Sequence, residues 1–378
     1  MKEFFTATNV FESSRFIYFL MKICSYLFIT IKKDENGKYE AKTSRFDLFR
    51  FGMFMLFGNY SFLNLLKQPF KSNLQITSII LQLGIHLKYR IIIFQPIISS
   101  VFALAFKNNF YQILKFLDDI DKKLKSFKVN RNFSSDMKWT IYFYIGILTY
   151  TYIIFALGLI PNVMMDEKHY EDIPMENPFF IYLVQIPGLI NLVYCITFIA
   201  IITRFKSTIK VLKSEKNLNI YELKEIMKIH IKCFEIIHLN NQFFALNAFI
   251  GFTDFSASLT FVFFCVYSVY KSGFDFDEIM LLYGNFMYFI ICAGYFYVIL
   301  KAACNVRNLC NELWEIFCLK ENFNRNENYL KFQQISIYQI SYCKFIPSCG
   351  FYEFNWKVLM IVLSGAFTYL IVGIDFDK

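Results

Sequence analysis

The chain of 378 residues is 56% hydrophobic, 20% aromatic and only 18% charged, with a formal net charge of +9. A water-soluble protein of this length needs a larger polar share to cover its surface, so the composition excludes the ordinary soluble globular class. It predicts an all-α membrane protein, because helices satisfy their own backbone hydrogen bonds in lipid.

The first apolar run, near the amino terminus, is open to two interpretations. Phe16 to Ile31 is apolar except for Lys22, and no small-residue cleavage site follows it, so we expect no removable signal peptide. If the run crossed the bilayer it would be an eighth span. Because Lys22 lies at its centre, where a charge is costly, we predict a helix that lies in or dips into the cytosolic interface. Residues 1–47 then form a cytosolic N-terminal segment.

Residues 48–378 contain seven further uncharged apolar runs and form one predicted membrane domain. A helix needs about 20 apolar residues to cross the hydrocarbon core. Three runs reach that length alone, and four shorter ones reach it if flanking basic side chains extend to the interface. The predicted seven transmembrane helices are Phe51–Leu66, Ile91–Phe106, Trp139–Pro161, Phe179–Thr203, Phe255–Tyr270, Ile279–Leu300 and Val358–Ile374.

The uneven distribution of Lys and Arg predicts how these spans are oriented. Four segments, at 1–47, 107–138, 204–243 and 301–357, hold 31 of these residues, whereas the alternate segments hold 5. Since basic residues in short loops resist translocation, the four segments are predicted to be cytosolic. The amino terminus is then cytosolic and the carboxyl terminus extracellular. The positive charge thus indicates orientation, and we expect no nucleic-acid partner.

Two of these cytosolic segments, 204–243 and 301–350, have apolar residues at helical spacing and predict long cytosolic helical extensions. Their apolar stripes must be buried, either within one chain or between subunits of an oligomer. His230 and His238, eight residues apart, are predicted to be polar anchors on nearly one helix face. The stripe of the first segment comprises Ile209, Leu212, Ile220, Leu223, Ile226, Ile229, Phe234 and Ile237.

Catalytic and metal-binding signals are weak. Of the ten cysteines, none lies in a predicted outside segment, so we expect no structural disulfide. Cys304, Cys310 and Cys318 have neither CxxC spacing nor a nearby histidine, which argues against a zinc site. The chain has no HExxH motif, no paired intramembrane carboxylates and no glycine-rich phosphate loop. We therefore predict no enzyme activity, no metal and no cofactor.

A distinctive string ends the last span. Thr368-Tyr369 is followed by five mostly apolar residues and then by Asp375-Phe376, and upstream lie Ser348–Tyr352 and Phe354–Trp356. These residues resemble the C-terminal signature of insect gustatory receptors, which reads Thr-Tyr, five mostly apolar residues and usually Gln-Phe. Asp375 replaces the usual glutamine. The specific match covers about the last 30 residues, and the other spans agree with the family only in number, length and orientation.

The resemblance implies a ligand-gated, non-selective cation channel of the plasma membrane that senses tastants. It implies a tetramer, either a homotetramer or an assembly with other gustatory receptor subunits. In this tetramer, residues 357–376 form the pore helix around a central axis. The resemblance assigns Thr368, Tyr369, Asp375 and Phe376 to the pore and gate. A ring of Asp375 carboxylates would favour cations, and a ring of Phe376 side chains would exclude water. Without the family, an alternative interpretation is that Asp375 simply marks the point where the last span leaves the membrane.

The ligand site is less specified by the sequence. Aromatic and amide side chains in the outer halves of the spans suit sugars and other small molecules, although ordinary packing explains such residues as well. Lys88, Arg90 and Asp254 are ionisable groups in or beside spans, which usually face a cavity or a partner. The ligand-binding candidates are Tyr152, Gln185, Tyr267, Tyr283 and Asn285.

Three alternatives stay open. The chain could be an odorant-receptor-like channel subunit, since odorant receptors share the topology but usually lack the terminal string. A transporter with seven or eight spans would need symmetric broken helices, which we do not find. A G-protein-coupled receptor would have the opposite orientation and outer cysteines.

Overall fold

The computed structural model describes residues 6–67, 94–158, 178–214, 220–271, 273–274, 276–321 and 356–376. This part of the chain is mostly helical, with one short antiparallel hairpin. The elements are α1 Val10–Ser13, α2 Arg15–Ile23, β1 Thr30–Lys33, β2 Tyr39–Lys42, α3 Arg45–Lys67, α4 Phe94–Ala105, α5 Lys107–Ser126, α6 Phe133–Gly158, α7 Pro178–Ser214, α8 Ile220–Lys271, α9 Phe276–Glu321 and α10 Trp356–Phe376.

The amino-terminal run does not form one helix. Helix α2 ends at Ile23, residues 24–29 are irregular, and β1 begins at Thr30. A nine-residue helix is about 14 Å long, less than half of the hydrocarbon core, so α2 cannot be an eighth span. It buries Ile17 and Met21 and exposes Phe19 and Ile23. This amphipathic character agrees with an interfacial helix, which stays a prediction.

The start of α3 is tied to this segment by buried charges. The Asp47 side chain is fully buried and lies 3.1 Å from Lys22 Nζ, and it accepts hydrogen bonds from Thr30 Oγ1 at 2.8 Å and Ser44 Oγ at 2.7 Å. The Ser44 hydroxyl accepts from the Asp47 amide in return, as in a capping box. Burial acts to raise the pKa of Asp47, but hydrogen bonds from Ser44, Lys22 and Thr30 outweigh it and lower the pKa.

These charged groups face the N-terminal segment. The opposite face of α3 is apolar from its first turn. Phe46, Phe49, Leu56 and Tyr60 recur at helical spacing and are each more than half exposed. The apolar face therefore begins before Phe51, where the sequence places the start of the first span.

Three helices in the described part of the chain are long and apolar enough to cross a membrane: Gly188–Ser214, Leu246–Lys271 and Glu278–Leu313. Helices Phe94–Ala105 and Trp356–Val372 are apolar but shorter. The chain thus has the helices of a membrane protein. Seven spans and their orientation remain predictions, since residues 68–93 and 159–177, which include the ends of two predicted spans, lie outside the described residues.

Helices α8 and α9 run without interruption through predicted span and predicted cytosolic extension alike. With 52 and 46 residues they are about 78 and 69 Å long, more than twice the hydrocarbon thickness. Helix α8 packs against α5, α7 and α9. The predicted apolar stripe is buried within one chain, through Ile209, Leu212, Leu223, Ile226, Ile229 and Ile237. The second segment is described only as far as residue 321.

The two histidines of α8 lie in different environments, so the prediction of two polar anchors on one face is wrong. A separation of eight residues rotates them by about 80° around the helix. His238 is exposed and lies 2.9 Å from Gln242 Nε2. His230 is 1% exposed, packs against Phe234 and Phe205, and neither of its ring nitrogens has a hydrogen-bond partner.

Mild acid is expected to destabilise the protein through His230. Burial lowers the pKa of His230 to about 4, whereas an unfolded histidine takes up its proton near pH 6.5. Between these values the unfolded chain binds more protons, so the free energy of unfolding falls as pH falls, by about 2 kcal/mol at pH 5. His230→Leu should weaken this loss when thermal unfolding in detergent is compared at pH 7 and pH 5.

His238→Gln serves as the control on the same helix. It should leave the difference between pH 7 and pH 5 as in the original chain, because His238 is exposed. An unchanged pH dependence in His230→Leu would show that His230 is not the group responsible.

Candidate functional site

The last helix, α10, has one buried face and one exposed face. Val358, Val362 and Ala366 are spaced four residues apart and are 3–5% exposed, and α10 packs against α8. Toward the C-terminal end of α10, the Phe367 ring stacks on Phe263 of α8 with centroids 4.8 Å apart. The buried face of α10 therefore packs against α8.

The terminal string lies on the exposed side of α10. Thr368, Val372 and Asp375 are three or four residues apart, so they share one helix face, and all three are exposed; Tyr369 is 67% exposed. The Thr368 hydroxyl donates to the Ser364 carbonyl at 2.9 Å within the same helix. Asp375 lies in the last turn of α10. Phe376 is its last residue, and its side chain lies outside the described part.

This exposed face is strongly apolar. Large side chains on one side of a single helix need lipid or other protein against them, because contiguous apolar patches are rarely left in water. The residues of this face that are more than half exposed are Met360, Ile361, Phe367 and Ile371, whereas the exposed Tyr369 lies seven residues after Val362 and so continues the line of the buried face.

The predicted ligand residues are distributed over helices α6 to α9. Tyr152 is 52% exposed and lines an open apolar groove of about 400 Å³, whose other walls also belong to α6. Tyr267, on α8, and Tyr283, on α9, are partly buried. Asn285 Nδ2, also on α9, lies 3.8 Å from Cys265 Sγ on α8. The side chain of Gln185 is outside the described part, as are Lys88 and Arg90.

Between α8 and α9 lies a polar cluster centred on Asp254. Tyr288 Oη donates to Asp254 Oδ2 at 2.6 Å, and Cys292 Sγ lies 3.5 Å from the same oxygen. A carboxylate within a predicted span is costly unless it faces hydrogen-bond donors or water, and here it has donors on the neighbouring helix. Asp254 was singled out by sequence, whereas Tyr288 and Cys292 were not.

A second set of polar contacts joins α6 to α9 and α7. Tyr150 Oη donates to the carbonyl of Ile290 at 2.8 Å, and the hydroxyls of Thr151 and Tyr295 are 2.9 Å apart. A Cβ added at Gly188 would lie 2.7 Å from the Tyr295 hydroxyl, so α7 and α9 approach closely there. Tyr150 and Thr151 directly precede the ligand candidate Tyr152 in the sequence.

A third cluster is fully buried between α4, α7 and α8. Asn247 Nδ2 donates to Asn191 Oδ1 at 2.7 Å, and Ser99 Oγ donates to Asn247 Oδ1 at 3.3 Å. Gln95, one turn before Ser99, is also buried, and its Nε2 has no hydrogen-bond partner. Amides that pair across helices resist separation in lipid, where no water can replace the partner.

Gly251 is expected to be essential to this third cluster. A Cβ at Gly251 would lie 2.9 Å from Asn191 Nδ2, so Gly251→Ala must displace the amide that pairs with Asn247. We expect Gly251→Ala to lower the free energy of unfolding by about 1–3 kcal/mol, measured by thermal unfolding in detergent.

Gly284→Ala is the matched control, because nothing lies within 4 Å of the position its Cβ would take. Alanine has the higher helix propensity, so this variant should be neutral or more stable by up to about 1 kcal/mol. Equal effects of the two substitutions would contradict the packing argument.

Sequence reasoning missed most of these polar residues. A signal was present: Asn191 is a polar residue within the uncharged run Phe179–Thr203, and Tyr288 and Tyr295 are seven residues apart and share a helix face. Spacing along one helix could not show which residues on another helix they meet. Within the described ranges, no three His, Cys, Asp or Glu side chains are grouped so as to hold a metal ion.

The arrangement defines a class: a helical protein with membrane-spanning helices, polar clusters between them and a last helix with an exposed apolar face. Two solved structures of the insect olfactory receptor OR5 from Machilis hrabei have this fold. The structure of the receptor matches with a TM-score of 0.67 and 12% identity, over 97% of this chain and 99% of that chain. The structure in complex with eugenol matches with a TM-score of 0.68 and 14% identity, over 98% and 100%. No family model and no curated protein matches the sequence.

Proposed function

We propose that this protein is a chemosensory receptor of the gustatory type that acts as a tastant-gated, non-selective cation channel in the plasma membrane. Four copies surround a pore formed by residues 357–376, and the ligand binds within the helix bundle of each copy. The terminal string, the predicted orientation and the receptor fold of OR5 support this proposal together. At 12–14% identity the likeness to OR5 establishes the fold and leaves the activity to experiment.

One observation carries the proposal. Helix α10 buries Val358, Val362 and Ala366 on one side and exposes Thr368 and Asp375 on the other. A carboxylate at the end of a membrane helix is unfavourable against lipid, whereas it is stable beside water. Assembly of several copies with these faces toward one axis would cover apolar surface and place Asp375 at an aqueous mouth, where acidic rings favour cations.

Ligand recognition is assigned to the outer parts of α6 to α9. Tyr267, Tyr283 and Asn285 lie on α8 and α9 above the Asp254 cluster, and Tyr152 and Gln185 complete the proposed set on α6 and α7. Aromatic faces with a few amide and hydroxyl groups bind small organic molecules well. Movement of α8 relative to α9 on binding would displace α10, because α10 packs on α8.

Recording from cells that express the chain alone tests this proposal. Candidate tastants, including sugars, bitter alkaloids and acids, should evoke cation currents. Phe376→Ala should raise the current without ligand, because a smaller side chain no longer excludes water from the gate. Stoichiometric substrate uptake without channel current would instead support a transporter.

An odorant receptor is the second candidate, and the fold of OR5 favours it. The published complex of OR5 contains eugenol, a volatile phenol. A ligand panel that includes volatile phenols beside sugars and alkaloids distinguishes the two: activation by volatiles alone would assign this chain to the odorant type.

A further inference from the structure

Six consecutive residues of the N-terminal segment are buried in the helix bundle although they are not helical. Cys24 to Ile29 are each between 0 and 4% exposed. Ser25 has a φ of 51°, in the left-handed region, and the Tyr26 amide donates to the Met21 carbonyl at 3.0 Å. This is the turn that commonly ends a helix, usually with glycine at the left-handed position. It directs residues 26–29 away from the axis of α2 and into the bundle.

The backbone of this buried segment has dedicated partners. Arg50 Nη2, on α3, donates to the Leu27 carbonyl at 2.6 Å, and Tyr18 Oη donates to the Ile29 carbonyl at 3.3 Å. Buried backbone groups without partners are costly, so irregular chain is rarely placed in a core without such bonds. The segment is therefore fixed to α2 and α3 along its length.

Tyr26 joins the segment to α8. Its ring stacks on Phe244 with centroids 5.9 Å apart and meets Phe243 edge-on at 5.3 Å. Its hydroxyl donates to the Phe243 carbonyl at 3.1 Å, across 217 positions of sequence. The hydroxyl is fully buried there, so water cannot replace the carbonyl as its partner.

Phe243 and Phe244, which Tyr26 contacts, precede several other interhelical contacts along α8. Asn247, one turn after Phe243, pairs with Asn191 on α7 and accepts from Ser99 on α4. Further on, Phe263 stacks on Phe367 of α10. Helix α8 therefore connects the N-terminal segment with the polar cluster and with the last helix.

We infer that residues 24–29 are an internal latch, in which Tyr26 holds α8 against α3 and so sets the balance between the conformations of α10. The inference rests on the proposed channel function for its effect on gating, whereas the attachment of α8 stands on the contacts alone. Tyr26 is a positioning residue: it acts on the last helix through α8 and touches no ligand.

Tyr26→Phe tests the latch in the full-length protein. The ring is kept and only the hydroxyl is lost, so the core stays filled. Hydrogen exchange of the α8 amides in residues 243–250 should become roughly fivefold faster. In recordings, the half-maximal concentration of an activating tastant should shift by roughly threefold or more in either direction.

Tyr111→Phe is the matched control. Its hydroxyl donates to the Tyr39 carbonyl at 2.6 Å, which also ties the N-terminal segment to a helix, but this bond involves neither residues 24–29 nor α8. It should leave both measurements as in the original chain. Unchanged exchange in Tyr26→Phe, or an equal change in Tyr111→Phe, overturns the attachment. Faster exchange with an unaltered ligand response overturns the latch. If the original chain carries no ligand-evoked current, the proposed function fails, and hydrogen exchange still decides whether Tyr26 holds α8.

Discussion

Arg204→Leu is expected to lower the free energy of unfolding by about 3–5 kcal/mol. Arg204 on α7 is 2% exposed, and its Nη2 lies 2.5 Å from Asp121 Oδ2 on α5. Removing the guanidinium leaves the Asp121 carboxylate buried, with Arg131 as its remaining salt-bridge partner in the described part of the chain, Nη1 being 3.9 Å from Oδ1. A buried charge that loses its partner costs more than the pair contributes. Thermal unfolding in detergent, supported by expression level, measures the loss.

Two further variants separate this explanation from a general loss of packing. Asp121→Leu combined with Arg204→Leu should be more stable than Arg204→Leu alone, since no unpaired charge remains. Lys213→Ala should cost no more than about 1 kcal/mol, because the pair of Lys213 with Glu312 is largely exposed. If the double variant were less stable than the single one, the buried-charge explanation would be wrong.

Asp375→Asn is expected to reduce single-channel cation conductance by roughly two- to fivefold at low ionic strength. Four carboxylates around an axis concentrate cations at the pore mouth, and an amide removes that attraction while keeping the shape. The difference should shrink near 1 M salt, where the screening length is only about 3 Å. Conductance measured across a series of salt concentrations tests both the lower conductance and its dependence on ionic strength.

Glu35→Gln is the control for Asp375. It removes one exposed carboxylate in the turn of the N-terminal hairpin, at the opposite end of the sequence. Conductance should be unaltered by it at every salt concentration. A functional channel in which Asp375→Asn conducts like the original chain would show that Asp375 does not line the pore.

The largest structural surprises concern charged residues near the predicted membrane boundaries. Lys22, at the centre of Phe16 to Ile31, predicts that this run does not span, and in the structure α2 ends at Ile23 before a turn at Ser25 that sequence patterns do not reveal. The sequence places Arg50 three residues after Asp47, whereas only the structure shows that it also binds the Leu27 carbonyl. Likewise, nothing near Asp121 in the sequence indicated Arg204, 83 positions away.

Part of the candidate site could be predicted from the sequence and part could not. The exposed face of α10 follows from helical spacing, so Thr368 and Asp375 could be placed together from the sequence alone. The five ligand candidates could not be tested by spacing, because a pocket depends on how four helices are turned toward one another. Tyr152, chosen for its chemistry, lies in an open groove on α6, while Tyr288 and Tyr295 point toward partners on neighbouring helices.

The sequence by itself determined that this is a helical membrane protein with long amphipathic extensions, because hydropathy and the helical period are local properties of a chain in lipid or water. Only the tertiary structure decided how the helices pair, where residues 24–29 are inserted and which polar groups meet at Asp254, Asn247 and Asp121. These contacts join residues up to 217 positions apart, and their free energy depends on distance and burial, which no local pattern contains.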